Sequence, residues 1–162
     1  MRWRRALIVL DESTATAESL ARIGAAVGPG AAVSLLSVVV PAYAYPRGME
    51  RPEYASAQEG RRVSEASARA AAASRALTEL GVHADEIERR GSRVAAVVEA
   101  ARDVEPDLVV IGANDSSVFA ALVPARPEDQ ATAIDVGRPS GRTAAGGRRR
   151  RYATWVILQT RG

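Results

Sequence analysis

The 162-residue chain is long enough to fold as one domain around a sizeable core, and its hydrophobic fraction of 47% is ordinary for a soluble globular protein. It has no cysteine, which excludes disulfides and thiolate chemistry, and no apolar run approaches the roughly 20 residues that cross a membrane. All 22 basic residues are arginine, with 15 of them against 19 acids in residues 1–137 and 7 against no acid in residues 138–162. The formal charge of +3 therefore belongs to the C-terminal part, and the acidic remainder does not support a broad nucleic-acid surface.

The N-terminus, MRWRRALIVLDES, has a basic start and an apolar run like those of a signal peptide. The run covers only residues 6–10 before Asp11 and Glu12 interrupt it, whereas a signal core needs about 7–15 apolar residues. We interpret the run as a first strand, and we expect a cytoplasmic protein without a membrane anchor.

The continuous apolar segment at residues 6–10 predicts a strand that is covered on both faces, and the mainly apolar residues 33–40 predict a second buried strand. Apolar residues at helical spacing lie between them. Ser13 or Thr14 is the expected N-cap of this helix, and the Gly-Pro-Gly sequence at residues 28–30 is expected to end it.

Residues 42–60 show no sustained period and contain two prolines, so we predict a surface loop there. A long amphipathic helix is predicted from about residue 57 to Gly81. Residues 82–90 alternate weakly, as in an edge strand, and residues 107–111 form another apolar run. A third helix, beginning at Ser92 with valines on one face, is predicted between these two strands.

Strands that alternate with helices predict an α/β fold, with a doubly wound, mainly parallel sheet flanked by helices. Residues 152–160 complete a five-stranded sheet. Ligands bind such sheets beyond the carboxyl ends of the strands. We therefore expect the functional residues at Asp11, at the end of the second strand, and in the loop after Gly112.

The composition divides the chain into an α/β core at residues 1–123, an irregular segment at 124–151 and a last strand within 152–162. The middle segment is rich in Arg, Gly and Pro and has few apolar residues, so it buries too little surface to order itself strongly. A shifted reading frame would produce the same abrupt change in composition.

Three segments, RRALIVLDES, VSLLSVVVP and PDLVVIGA, together resemble the universal stress protein family over about residues 4–113. The resemblance implies an adenine-nucleotide alpha-hydrolase-like fold, a role in the stress response, and a homodimer paired through the last strand. It also implies ATP, with Mg²⁺, as the ligand, because ATP-binding members carry a glycine-rich phosphate loop that ends in Ser or Thr.

Carried onto this sequence, the resemblance implies four ligand-binding positions. Asp11 and the backbone of Val38 match the adenine contacts, Gly112 matches the first loop glycine, and Arg126 stands at the position of the hydroxyl residue. Asp115 replaces the second loop glycine, as Ala125 replaces the third.

The replacement of the loop glycines weakens the predicted phosphate site. A carboxylate at Asp115 about 4 Å from a phosphate charge costs about 4 kcal/mol at an effective dielectric constant of about 20. Arg126 would compensate as a guanidinium partner of the phosphates. Ordinary roles also explain Gly112 as the end of a strand, residues 114–116 as a turn, and Asp11 as a helix cap.

We therefore predict a regulatory protein of the stress response with weak or absent ATP binding, and no enzymatic activity beyond slow ATP hydrolysis. His83, the only histidine, has no cysteine companions and does not predict a zinc site. One alternative is a functional ATP-binding protein that uses Arg126. The other is an interaction protein that uses its arginine-rich tail on nucleic acid or an anionic surface. Residues 148–151 lack interleaved aromatic residues, so we favour a solvated charge run.

Overall fold

The structure is a computed structural model, and it describes residues 3–41, 52–112, 115–122, 132–134 and 153–157. Strands and helices alternate along most of the chain. The strands are β1 (Arg5–Val9), β2 (Ala32–Val39), β3 (Ala84–Arg90), β4 (Leu108–Gly112), β5 (Thr132–Ile134) and β6 (Ala153–Ile157). The helices are α1 (Ala17–Val27), α2 (Pro52–Glu79), α3 (Arg93–Val104) and α4 (Ser116–Leu122).

The strands form one sheet in the order β3-β2-β1-β4-β6-β5. The first four strands pair in parallel, and helices pack on both faces, which confirms the predicted fold class. From β1 the chain winds outward to β2 and β3 and then returns to β4 on the other side of β1. The winding direction therefore reverses between β1 and β4, which is where α/β sheets bind ligands.

In the part of the chain that the structure describes, the sheet has six strands, so the predicted count of five is not confirmed. β6 lies within the predicted last strand but runs antiparallel to β4, and the three-residue β5 pairs antiparallel with β6. β5 falls inside residues 124–151, for which we predicted no strand. Its three residues are too few to show the alternation of apolar and polar residues by which a strand is recognised in a sequence. The remaining parts of 124–151 and 152–162 lie outside the described residues.

Alternate residues of the central strands serve two hydrophobic layers. Ala6 and Ile8 of β1 pack in the layer beneath α1 and α2, whereas Leu7 and Val9 pack against α3 and α4. All four are completely buried. This burial on both faces explains the unbroken apolar sequence of β1, since each large aliphatic side chain contributes about 1.5–3 kcal/mol when it leaves water.

Helix α2 begins at Pro52, so the prediction of a loop is wrong from residue 52 onward and the predicted helix start at about residue 57 is five residues late. Proline is well suited to the first position of a helix, because its missing N–H has no intrahelical partner there. The 28 residues of α2 extend about 42 Å, whereas the eight residues of β2 extend about 26 Å. α2 therefore projects past the sheet, and Arg62 Nη1 donates to the carbonyl oxygen of Val40 at 3.0 Å near the carboxyl end of β2.

Helix α1 is capped by Thr16, and not by Ser13 or Thr14 as predicted. Thr16 Oγ1 accepts a hydrogen bond from the backbone N–H of Ser19 at 3.1 Å. Gly28 ends the helix with a φ of 72°, a conformation that favours glycine. In the described part of the chain, no helix combines the length and apolar character needed to cross a membrane.

Candidate functional site

Three of the four predicted ligand-binding residues lie at one edge of the sheet. Asp11 follows β1, and Gly112 ends the neighbouring β4. Val38 lies in β2, two residues beyond Leu36. Leu36 is the last residue of β2 that pairs with β1. The carboxyl ends of these three parallel strands thus lie side by side at the point where the winding reverses, and we call this region the crevice. Arg126 lies outside the described residues.

A tight turn after β1 fixes the Asp11 carboxylate. Its Oδ1 accepts hydrogen bonds from Ser13 N–H at 2.7 Å, from Ser13 Oγ at 2.6 Å and from Thr14 N–H at 2.9 Å. Thr14 is completely buried, donates its hydroxyl to the carbonyl oxygen of Val9 at 2.8 Å, and accepts from Asp11 N–H at 2.8 Å. Ser13 and Thr14 therefore orient Asp11, which is the role they have in place of capping α1.

The second carboxylate oxygen of Asp11 lies directly over Gly112. A Cβ atom on Gly112 would collide with Asp11 Oδ2 and would come within 2.8 Å of Ser13 Oγ. Real Cβ atoms do not approach other atoms so closely. Position 112 therefore needs a glycine because of the Asp11 side chain, independently of any ligand.

Arg93, the first residue of α3, joins the end of β1 to the start of α4. Its Nε donates to Asp115 Oδ1 at 2.8 Å, and its Nη2 donates to Asp115 Oδ2 at 2.6 Å. The same Nη2 lies 3.5 Å from Asp11 Oδ2. The Arg93 side chain is 25% exposed and that of Asp115 14%. This two-point pairing is the strongest geometry that an arginine and a carboxylate form.

The charges of this cluster are stabilised by their neighbours. Burial by itself raises the pKa of the Asp11 carboxyl, but hydrogen bonds from the Ser13 hydroxyl and the N–H groups of Thr14 and Ser13, together with the charge of Arg93, bring the pKa below its ordinary value. Burial lowers the pKa of Arg93, but the Asp115 hydrogen bonds and the charges of Asp115 and Asp11 raise it above its ordinary value. Asp11 and Arg93 are therefore ionised at neutral pH.

The sequence analysis did not identify Arg93. A cation in the first turn of a helix is unfavourable, because the backbone N–H groups there already carry partial positive charge. Ser92, the N-cap of α3, makes no side-chain capping hydrogen bond that would offset this. An arginine at this unfavourable position, together with Asp115 in place of a loop glycine, is the signal that would have predicted the ion pair.

The described residues around Gly112 are a poor match to a polyphosphate. Asp11, Asp115 and Arg93 together carry a net charge of −1, and the only one of the three that is positive is already paired. The backbone N–H of Asp115 donates to the carbonyl oxygen of Gly112 at 3.0 Å, so it is occupied as well. Within the described ranges, no group of three or more acidic or histidine side chains has the arrangement of a metal site.

A family model of the universal stress protein family matches residues 2–124 of the chain, about three-quarters of its length. The chain belongs to the universal stress protein family. The predicted recognition is thereby confirmed, and the match includes β1 through α4 and the whole Asp11–Arg93–Asp115 cluster. No curated protein matches the sequence.

Solved structures of universal stress proteins are similar to this chain. The protein UspA from Lactobacillus plantarum is 13% identical, with a TM-score of 0.50, over 64% of this chain and 71% of that one. A family member from Burkholderia pseudomallei is 23% identical, with a TM-score of 0.44, over 72% of this chain and 87% of that one. A universal stress protein in complex with cAMP is 20% identical, with a TM-score of 0.48, over 67% of this chain and 75% of that one. At these identities the likeness concerns the fold.

His83 lies away from the crevice of this universal stress protein, because it precedes β3 at the opposite edge of the sheet. Its side chain is 88% exposed, and its Nε2 lies 3.8 Å from Asp85 Oδ1. His83 is therefore an exposed surface residue with one exposed carboxylate beside it.

Proposed function

We propose that this universal stress protein is a regulatory protein of the stress response whose binding of ATP is weak or absent. The supporting observation is the ion pair of Arg93 with Asp115 beside Gly112. It puts a carboxylate in the loop where phosphate would approach, and it occupies the nearest described cation. A regulatory protein of this kind acts through protein partners, in the cytoplasm, and needs no catalytic group.

Calorimetric titration of the full chain with ATP and Mg²⁺ tests this proposal. We expect no saturable heat at micromolar concentrations of a folded sample. Saturable micromolar binding that Asp11→Ala weakens would contradict the proposal, because Asp11 then contributes to a working nucleotide site. Titration with cAMP under the same conditions extends the test to a nucleotide with a single phosphate.

A functional ATP-binding protein is the second candidate. It is favoured by the position of Asp11, Val38 and Gly112 at the carboxyl ends of three neighbouring strands. In this candidate Arg126 supplies the missing phosphate contact and slow ATP hydrolysis follows binding. It predicts that Arg126→Ala weakens ATP binding at least as much as Asp11→Ala does.

The homodimer stays a prediction, and the strand order bears on how two chains would pair through the last strand. β6 has β4 on one side and the three-residue β5 on the other. A partner strand that pairs with β6 would therefore have to displace β5, which has few backbone hydrogen bonds to lose. Light scattering on the purified chain tests this, because a monomer at all concentrations would contradict it.

A further inference from the structure

The guanidinium of Arg93 lies in surroundings that require an anionic partner. It sits at the amino end of α3, where the backbone N–H groups add partial positive charge, and three-quarters of its side chain is buried. A buried guanidinium in this position is costly unless an anion satisfies it, and helix amino ends are themselves common sites of anion binding.

Asp115 satisfies Arg93 in the way that a phosphate or a carboxylate ligand would. Two nearly parallel hydrogen bonds, at 2.8 and 2.6 Å, match the two oxygens of the carboxylate to the planar guanidinium. Asp115 lies three residues after Gly112, the end of β4, and directly precedes α4, so it borders the crevice. The carboxylate that Arg93 holds is therefore part of the site that a ligand would enter.

We propose that Asp115 is an internal competitor for anions: it occupies Arg93 and so makes the crevice reject phosphate groups. This inference rests on the proposed function and names the residue responsible for the weak ATP binding. Removal of the Asp115 charge changes the net charge of the cluster from −1 to zero. It also frees Arg93 Nε and leaves Nη2 with only the 3.5 Å contact to Asp11 Oδ2, so that both nitrogens can donate to two oxygens of one phosphate.

Calorimetric titration of four full-length proteins with ATP, and separately with adenosine, tests the inference. The proteins are the wild type, Asp115→Asn, Asp115→Gly and the control Asp103→Asn. The control removes the same charge from a carboxylate that pairs with Arg89 at 3.2 Å, on the exposed side of α3. We expect the Asp115 variants to bind ATP about tenfold or more tightly than the wild type, with adenosine binding unchanged and Asp103→Asn without effect.

The double variant Arg93→Gln with Asp115→Asn tests whether the tighter ATP binding of the Asp115 variants depends on the guanidinium. We expect the double variant to lose this added affinity for ATP. A gain that persists without Arg93 would overturn the inference, as would Asp115 variants that bind ATP no more tightly than Asp103→Asn. Tight ATP binding by the wild type contradicts the proposed function whatever the variants do. A flat wild-type titration without any gain at position 115 contradicts only the role of Asp115.

A measurement on the wild type keeps the inference testable if the Asp115 variants do not fold, as judged by circular dichroism. The Nε–H resonance of Arg93 in ¹⁵N-labelled protein should not move when excess inorganic phosphate is added, because Asp115 already occupies it. The exposed Arg61 serves as the reference for non-specific ionic shifts. A phosphate-dependent shift of Arg93 that exceeds that of Arg61 would overturn the inference.

Discussion

Replacement of Gly112 by alanine places a methyl group against the Asp11 carboxylate and 2.8 Å from Ser13 Oγ. The Asp11 turn is held by several hydrogen bonds and cannot retreat without breaking them. We therefore expect the free energy of unfolding to fall by about 1–3 kcal/mol, the usual cost of overpacking.

Chemical denaturation measures this loss, and Gly60→Ala is the matched control. A Cβ atom on Gly60 meets nothing within 4 Å, and the residue lies inside α2. Alanine there should stabilise the protein by about 0.5–1 kcal/mol through helix propensity. Equal effects of the two substitutions would mean that Asp11 does not press on Gly112.

The stability of the protein should depend on pH because the pKa of Asp11 is lowered in the folded chain. A carboxyl group whose pKa is lower in the folded than in the unfolded chain stabilises the fold above its unfolded pKa of about 3.9, and loses that contribution as the pH falls through the folded value. Asp11→Asn should thus be less stable than the wild type at neutral pH, with a difference that shrinks below about pH 4.

Urea denaturation of the wild type and Asp11→Asn over a pH series measures that difference. Asp85→Asn, at a side chain that is 83% exposed, is the control and should change the free energy of unfolding little at any pH. A difference for Asp11→Asn that stays constant down to acid pH would contradict the prediction.

At the scale of the elements, the N-caps of α1 and α3 form a natural pair for comparison. Thr16 makes a side-chain capping hydrogen bond to Ser19 N–H, whereas Ser92 makes none. We expect Thr16→Ala to lower the free energy of unfolding by about 1 kcal/mol and Ser92→Ala to change it much less. Thermal denaturation of both variants checks this, and a larger loss at Ser92 would contradict the assigned caps.

Most of the core elements could be predicted from the sequence, because their apolar residues repeat with a clear period. β1 and β4 contain unbroken apolar runs, β2 is apolar except for Ser34 and Ser37, and the inner face of α2 repeats at three- and four-residue steps. The start of α2 was missed because residues 52–60 show no sustained hydrophobic period in the sequence. β5 is too short to have one.

The site was predicted in part, for a different physical reason. The topology predicts that Asp11, the end of the second strand and Gly112 lie close together, since the ends of parallel strands meet at one edge. The choice of Val38 and the ligand contacts of these residues come from the family resemblance and stay predictions. The Arg93–Asp115 pair joins residues 22 apart through the packing of α3 against α4, so its only signals in the sequence are an arginine at the amino end of α3 and an aspartate in place of a loop glycine. The position of Arg126 stays a prediction.

At the scale of the whole molecule, the uneven charge predicts how the protein meets nucleic acid. Residues 1–137 carry a net charge of −4, so they repel a polyanion that the tail attracts. We expect only weak binding to a DNA duplex at low salt, lost at physiological salt and lost in a variant with serine at positions 148–151. Fluorescence anisotropy measures this, and salt-resistant binding would instead support the interaction-protein alternative.

The overhang of α2 past the sheet divides one continuous helix into two halves of unequal local stability. From Ala66 onward, its inner side chains are buried against the sheet, whereas residues 56–65 are half-buried or exposed. Amide hydrogens in the packed half can exchange with solvent only when the core opens, but those in the projecting half need only local fraying. Hydrogen exchange should therefore show a step in protection near Ala66, so that the part of α2 that borders the crevice can unwind and re-form while the sheet stays folded.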